Sequence, residues 1–155
     1  MRNTGKAVVL LAMALPAAAM SGDNTMVFSG KAIQMQLVQL ASQAKTLGGS
    51  GSILGATGNL ILKLSVRTVS GGAEAHAHYD DLMIVQQGSA TLVTGGIVLD
   101  AKTTADGETN GTGIEGGTSQ QIGVGDVLIV PAGKPHRLLI PPGTTYSALV
   151  AKIKE

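Results

Sequence analysis

The sequence contains no cysteine and no tryptophan, and Phe28, Tyr79 and Tyr146 are its only aromatic residues. Without cysteine there are no disulfides, no thiolate metal ligands, no cysteine nucleophile and no sulfur redox chemistry. With so few aromatics, a site that grips sugars or bases by stacking has little to build on. Charge is sparse and balanced, with 11 Lys and Arg against 10 Asp and Glu. No basic patch with interleaved aromatics occurs, so no nucleic acid is expected as a partner. Histidine is scarce as well: His76, His78 and His136 are the full set.

Long hydrophobic runs are missing except near the start. Arg2 and Lys6 precede the apolar run Ala7 to Leu15, and Pro16 and Ala17-Ala18-Ala19 follow it. This is the layout of a secretory signal peptide cleaved near Ala19. The run is shorter than the roughly 20 residues that span a bilayer comfortably. The reading is a signal peptide at 1–19, a periplasmic or secreted mature protein, and no membrane association after signal cleavage.

Residues 20–57 read as an N-terminal extension with one helix at about 29–47. Ile33, Leu37, Leu40, Ala41 and Ala44 make one apolar stripe at helical spacing. Ser29 suits the N-cap, Phe28 and Ile33 suit a hydrophobic staple, and Gly48-Gly49 ends the helix. Residues 58–155 read as strands. Asn59 to Val69 alternates, with Leu60, Leu62, Leu64 and Val66 on one face. Ala73 to His78 and Leu82 to Gln87 follow across a turn at Tyr79-Asp80-Asp81. Further strands are read at Ala90 to Thr94, Gly96 to Leu99, Gln121 to Val130, Arg137 to Ile140 and Tyr146 to Ile153. Thr103 to Ser119, rich in Gly, Thr, Asp, Asn and Glu, reads as a long loop. Many short strands with Gly and Pro turns indicate an all-β sandwich or barrel.

Two of the three histidines form His76-Ala77-His78. On a strand, residues i and i+2 share a face, so the two imidazoles would stand side by side and could share a metal, or equally form an exposed pair on a solvent-facing strand. The third lies in Gly125-Asp126-Val127-Leu128-Ile129-Val130-Pro131-Ala132-Gly133-Lys134-Pro135-His136. Here a turn, an apolar strand and a rigid Pro and Gly turn deliver His136 to the start of the next strand.

These segments resemble the two motifs of the cupin superfamily. The second motif, Gly-x5-Pro-x-Gly-x2-His-x3-Asn, fits from Gly125 through Pro131 and Gly133 to His136, with Ile140 where Asn is usual. In the first, Gly-x5-His-x-His-x3–4-Glu-x6-Gly, His76 and His78 match. Counting back from Gly88 puts Asp81 in the place of Glu, after a turn shorter by one or two residues. Ser70 stands where the leading Gly belongs. The resemblance covers about residues 60–151. It implies a small single-domain cupin: a jelly-roll β-barrel, or double-stranded β-helix, behind the N-terminal helix. It also implies one divalent transition metal (Mn, Fe, Ni, Cu or Zn) held by His76, His78, Asp81 and His136. Asp81 either ligates directly, ligates through water or orients a histidine; Asp80 could replace it, or three ligands could suffice.

Around this set, Glu74 shares strand parity with His76 and is either a general base or a charged rim residue. Met83, Val85 and Leu138 are expected to line an apolar pocket. Glu108 and Glu115 read as solvated loop acids, or as parts of a lid. Arg67 is expected in a surface or intersheet ion pair, and Lys134 and Arg137 are expected to point outward. Leu82 and Ile84 are apolar on the parity opposite to Met83 and Val85, so that face should be covered by the helix or by a second subunit. The resemblance favours a homodimer. The expected function is a metal-dependent enzyme acting on a small polar molecule by dioxygenase, isomerase or lyase chemistry. The alternatives are a non-catalytic barrel that binds a small ligand or a metal, and a structural module without metal.

Overall fold

The computed structural model describes residues 19–20 and 25–155. The expected signal peptide, apart from Ala19, lies outside the described residues. Two short strands, β1 (Ala19–Met20) and β2 (Met26–Val27), pair with each other ahead of helix α1 (Gly30–Leu47). The helix begins where expected: the Ser29 hydroxyl accepts a hydrogen bond from the Ala32 amide at 3.2 Å. It ends where Gly48 adopts a left-handed conformation (φ 84°) and its amide closes on the Ala44 carbonyl, a geometry that glycine alone adopts freely.

The strands that follow are β3 (Gly49–Thr57), β4 (Leu60–Arg67), β5 (Ala73–His76), β6 (Tyr79–Gln87), β7 (Ser89–Thr94), β8 (Ile97–Leu99), β9 (Lys102–Thr103), β10 (Glu108–Gly111), β11 (Gly113–Glu115), β12 (Thr118–Gly123), β13 (Val127–Val130), β14 (His136–Leu139) and β15 (Tyr146–Lys154). They form a six-stranded sheet in the order β12-β7-β14-β5-β10-β9 and a five-stranded sheet in the order β13-β6-β15-β4-β3, with β8 and β11 as a separate ribbon. Every pairing is antiparallel. The chain changes sheet at each step from β4 to β7 and again from β12 to β15. That alternation winds two sheets around one core as a jelly roll.

The core between the sheets contains Met83, Val85, Leu92, Ile122, Leu128, Val130, Tyr146 and Val150, with Leu138 packed against it. A second cluster lies under the helix. Leu37, Leu40 and Ala44 meet Leu54, Leu64 and Val66, with Phe28, Ile33, Ala41 and Leu149 at its margin. Strand β4 serves both faces because its side chains alternate. Leu62, Leu64 and Val66 face the helix, and Lys63, Ser65 and Arg67 face the barrel interior.

Two segments depart from the sequence reading. Residues 49–57, placed in an extension outside the barrel, form edge strand β3, paired along its length with β4. The segment carries few side chains with a strand signal; backbone pairing and close approach place it instead. A Cβ on Gly51 would lie 2.9 Å from the Leu64 carbonyl oxygen, and one on Gly55 would lie 2.9 Å from Phe28 Cζ. The expected loop 103–119 contains β10, β11 and the start of β12. Its Thr and Gly residues imitate loop composition, yet β10 pairs with β5 from Glu108↔His76 to Gly111↔Ala73.

Leu64 is fully buried between the helix and the sheet. Leu64→Ala is expected to lower the unfolding free energy by about 2–5 kcal/mol, the usual cost of a large-to-small change in a packed core. Urea denaturation checks this, and a loss below about 1 kcal/mol would mean that the helix is loosely docked.

Candidate metal centre

Strand β5 ends at His76 and carries Glu74 on the same side, two residues earlier. Strand β10 sets Glu108 directly across from His76, and β14 opens with His136, paired with Glu74. The facing sheet contributes Asp81 from β6, paired with Lys152 of β15. His76, His136 and Asp81 are buried. The two imidazoles stand 5.2 Å apart between centroids, tilted by 60°.

Each ring is oriented by an acceptor on its outer nitrogen. His76 Nδ1 is hydrogen-bonded to Glu108 Oε2, and His136 Nδ1 donates to the Lys134 carbonyl at 3.2 Å. Both Nε2 atoms then converge on Asp81 Oδ2, at 3.3 Å from His76 and 3.8 Å from His136. Glu74 Oε2 lies 3.7 Å from His76 Nε2. Ligand atoms of Glu74, His76 and His136 all lie within 4.8 Å of one another, near the separation of about 3–4 Å between atoms that share one ion at about 2.1 Å. Two imidazoles and a carboxylate suit first-row divalent metals, and anchored Nδ1 atoms are the usual outer support for Nε2 ligands. The residues present fit a metal.

The turn before His136 is bolted to this centre. The Gly133 amide donates to the His76 carbonyl at 2.7 Å, and the Ala132 amide donates to Asp80 Oδ1 at 2.8 Å. Asp80, weighed as a substitute ligand, holds the Pro131–Pro135 turn instead. His78 is not brought to the group. Ala77 and His78 make the turn between β5 and β6, and His78 is exposed. The i, i+2 argument requires one unbroken strand, and the strand stops at His76. Glu108 is the residue that the sequence reading underrates. Its only early signal was position in a long segment between strands.

The charges are paired, once across the barrel and once within a sheet. Arg67 meets Glu74 at 3.3 Å, an intersheet pair, and Lys152 Nζ meets Asp81 Oδ1 at 3.0 Å between neighbouring strands of the five-stranded sheet. Burial alone would raise the Asp81 pKa, but hydrogen bonds to His76 and Lys152 and their charges outweigh it and hold the carboxyl at about 2. Burial opposes charge on His76 too, yet the Asp81 and Glu108 carboxylates raise its pKa. His136, with less compensation, is lowered by burial. Lys63 is lowered by burial and then by Lys152.

No family model and no curated protein matches the sequence. Solved structures do match. The cupin domain of Cnp3 from Schizosaccharomyces pombe superposes with a TM-score of 0.53 at 9% identity, covering 69% of this chain and 61% of that one. A protein from Klebsiella pneumoniae with a double-stranded β-helix domain gives 0.51 at 14%, covering 68% and 76%. The chain has the cupin fold. A Thermotoga maritima protein described as a predicted oxalate decarboxylase gives 0.52 at 13%, covering 69% and 81%. The chain spans 47% of a DMSP lyase from Ruegeria pomeroyi and 66% of a polyketide cyclase from Streptomyces resistomycificus. Identities this low establish the cupin architecture and leave its chemistry to the site.

The depressed Asp81 pKa sets a pH dependence for the metal-free barrel. A carboxyl lowered from 3.8 to about 2 on folding stabilises the fold above pH 3.8, and this contribution disappears as pH falls through about 2. Asp81→Asn is expected to cost about 2 kcal/mol at neutral pH and progressively less in acid. Thermal melts of both proteins across that range check it; a pH-independent difference would contradict the assignment.

Proposed function

We propose that this chain is an exported cupin that holds one divalent transition metal and acts on a small polar molecule. The observation that carries the metal reading is the convergence of two Nε2 atoms whose Nδ1 partners are already occupied. Glu74, His76 and His136 would hold the ion, with Asp81 beside them. A bound ion of this type polarises a carbonyl or activates water or dioxygen. The protein does the positioning. Glu108 fixes the His76 ring and raises its basicity, Arg67 holds the Glu74 carboxylate, and Lys152 keeps Asp81 ionised. Met83, Leu138 and Val150 wall the adjoining space with apolar surface. Glu74, weighed from sequence as a general base, serves as a ligand in this arrangement.

The structural neighbours include proteins named as a lyase, a polyketide cyclase and a predicted oxalate decarboxylase. This supports an enzyme of dioxygenase, isomerase or lyase type without selecting a reaction. One observation favours the non-catalytic alternative. Glu74 and Asp81 each already have a cationic partner, so the barrel wall is largely neutralised without an ion, as suits a ligand-binding barrel. The signal-peptide layout supports export to the periplasm or beyond.

The metal reading has a direct test. Purified protein is expected to carry about one equivalent of metal by elemental analysis. His76→Ala and His136→Ala are expected to lose at least about nine-tenths of it, since removing even a residue that only supports a ligand costs about 10–100-fold in affinity. His78→Ala is expected to retain it. Loss with His78→Ala, or metal-free wild type after metal supplementation, would overturn the ligand set.

We also propose a homodimer. Helix α1 covers the β3–β4 side of its sheet and leaves the β6–β13 side bare. There Val127 and Ile129, 60% and 68% exposed, pair with Ile84 and Leu82 in one apolar strip. A second copy would bury this strip. Sedimentation is expected to show a dimer for wild type and a folded monomer for Ile129→Asp; a monomeric wild type at micromolar concentration would dismiss it.

A further inference from the structure

Three cations of the five-stranded sheet face the barrel interior, and two of them are spoken for. Arg67 pairs with Glu74 and Lys152 with Asp81. Lys63, on β4 between them and opposite Val150 of β15, makes no hydrogen bond or ion pair among the described residues. A half-buried ammonium with no direct partner is costly, and its neighbour Lys152 adds repulsion that the more distant Asp81 and Glu74 carboxylates do not fully offset. The position is one that an anion would relieve.

Lys63 also stands where two cavities meet. Lys63, Ser65 and Arg67 line a small cavity of about 50 Å³ that reaches Glu74, Asp81 and His136. The same three residues line a larger cavity of about 560 Å³, a size that accommodates a small-molecule ligand. Its other walls include Leu47, Ile53, Ile61 and Val69. Leu47, Ile53 and Val69, exposed by 61%, 54% and 56%, form an apolar mouth. No aromatic ring is among the lining residues, so a stacked aromatic ligand gains nothing there.

We propose that Lys63 is the anion anchor of this cavity and that the ligand is a small aliphatic monocarboxylic acid. Its carboxylate meets the Lys63 ammonium and the Ser65 hydroxyl, and its hydrocarbon part lies toward Ile53, Ile61 and Val69. One unpaired cation matches one negative charge, which favours a carboxylate over a phosphate dianion. The inference deepens the reading of the neighbouring cluster as a metal centre, because the anchored acid would sit beside Glu74 and His136. The anion site itself needs no metal.

The test uses hexanoate and its neutral analogue hexanamide, with calorimetric titration of metal-loaded and metal-stripped full-length protein. Wild type is expected to bind hexanoate in both forms and to bind hexanamide at least about tenfold more weakly, the loss of one charge-assisted contact. Lys63→Met is expected to lose about tenfold in hexanoate affinity in both forms while keeping its metal content, and Lys63→Arg is expected to keep most of the affinity. Because Lys63→Met removes an unpaired, half-buried charge, its ligand-free melting temperature is expected to equal or exceed that of wild type, which separates a binding defect from misfolding. His136→Ala is expected to lose metal and still bind hexanoate. Absence of hexanoate binding, equal affinity for the amide, or wild-type affinity in Lys63→Met would each overturn the anchor. Binding through Lys63 in a wild type that takes up no metal would leave the anchor standing and remove the metal reading alone.

Discussion

The hydrogen bond from the Gly133 amide to the His76 carbonyl, 2.7 Å long, fixes the site. It joins the turn that precedes β14 to the last residue of β5, and so brings together histidines that sequence separates widely. Gly133 adopts φ 73°, a left-handed conformation that a residue with a side chain seldom takes. Pro131 and Pro135 restrict the chain on either side, and Asp80 holds the Ala132 amide. The imidazoles therefore meet because the backbone around them is held, and ring orientation follows from their Nδ1 acceptors.

The barrel interior has an electrostatic constraint of its own. Glu74, half-buried, and Asp81, buried, lie in an interior that mixes charged and apolar walls, where an unpaired charge is costly. The five-stranded sheet supplies Arg67 and Lys152 in the registers that reach them. The six-stranded sheet contributes the imidazoles and Glu108. Arg67 reaches Glu74 across the core and His76 reaches Asp81 the same way, whereas Lys152 meets Asp81 within its own sheet. This coupling explains how Asp81, one of the most buried carboxylates, remains ionised so far into acid.

Helix α1 was legible to within a residue, because its stripe and both caps are local signals. The barrel was legible from strand alternation and from the Gly125–His136 segment, whose spacing encodes a turn. His76, Asp81 and His136, named from the sequence as candidate ligands, are brought together in the structure. What the sequence hid is non-local. Strand β3 carries little side-chain pattern because glycine is required where its neighbours press close. Glu108 looks like a loop acid until β10 is paired with β5, a partner more than thirty residues away. The three interior residues of β4, namely Lys63, Ser65 and Arg67, look like an ordinary polar face, since alternation cannot say that the polar side is the inside.

His78 shows how one shortened turn reshapes a site. The resemblance to the cupin motif places two histidines on one strand, with the acidic residue several positions further on. Here the interval to Asp81 is reduced, and the chain must still cross from the six-stranded to the five-stranded sheet within it. Ala77 and His78 are used to make that crossing, so His78 faces solvent. Asp81 arrives early, on the facing sheet, within reach of His76 Nε2. The vacant position beside His76 is filled from the other direction along the same strand. Glu74 lies two residues before it with the same parity, and its ligand atom joins those of His76 and His136. In the proposed centre the pair on β5 would be Glu-x-His where the motif gives His-x-His, with carboxylate in place of imidazole. That exchange would move the donor set toward harder, oxygen-preferring ions, and it accompanies the shortened turn that carries His78 outward.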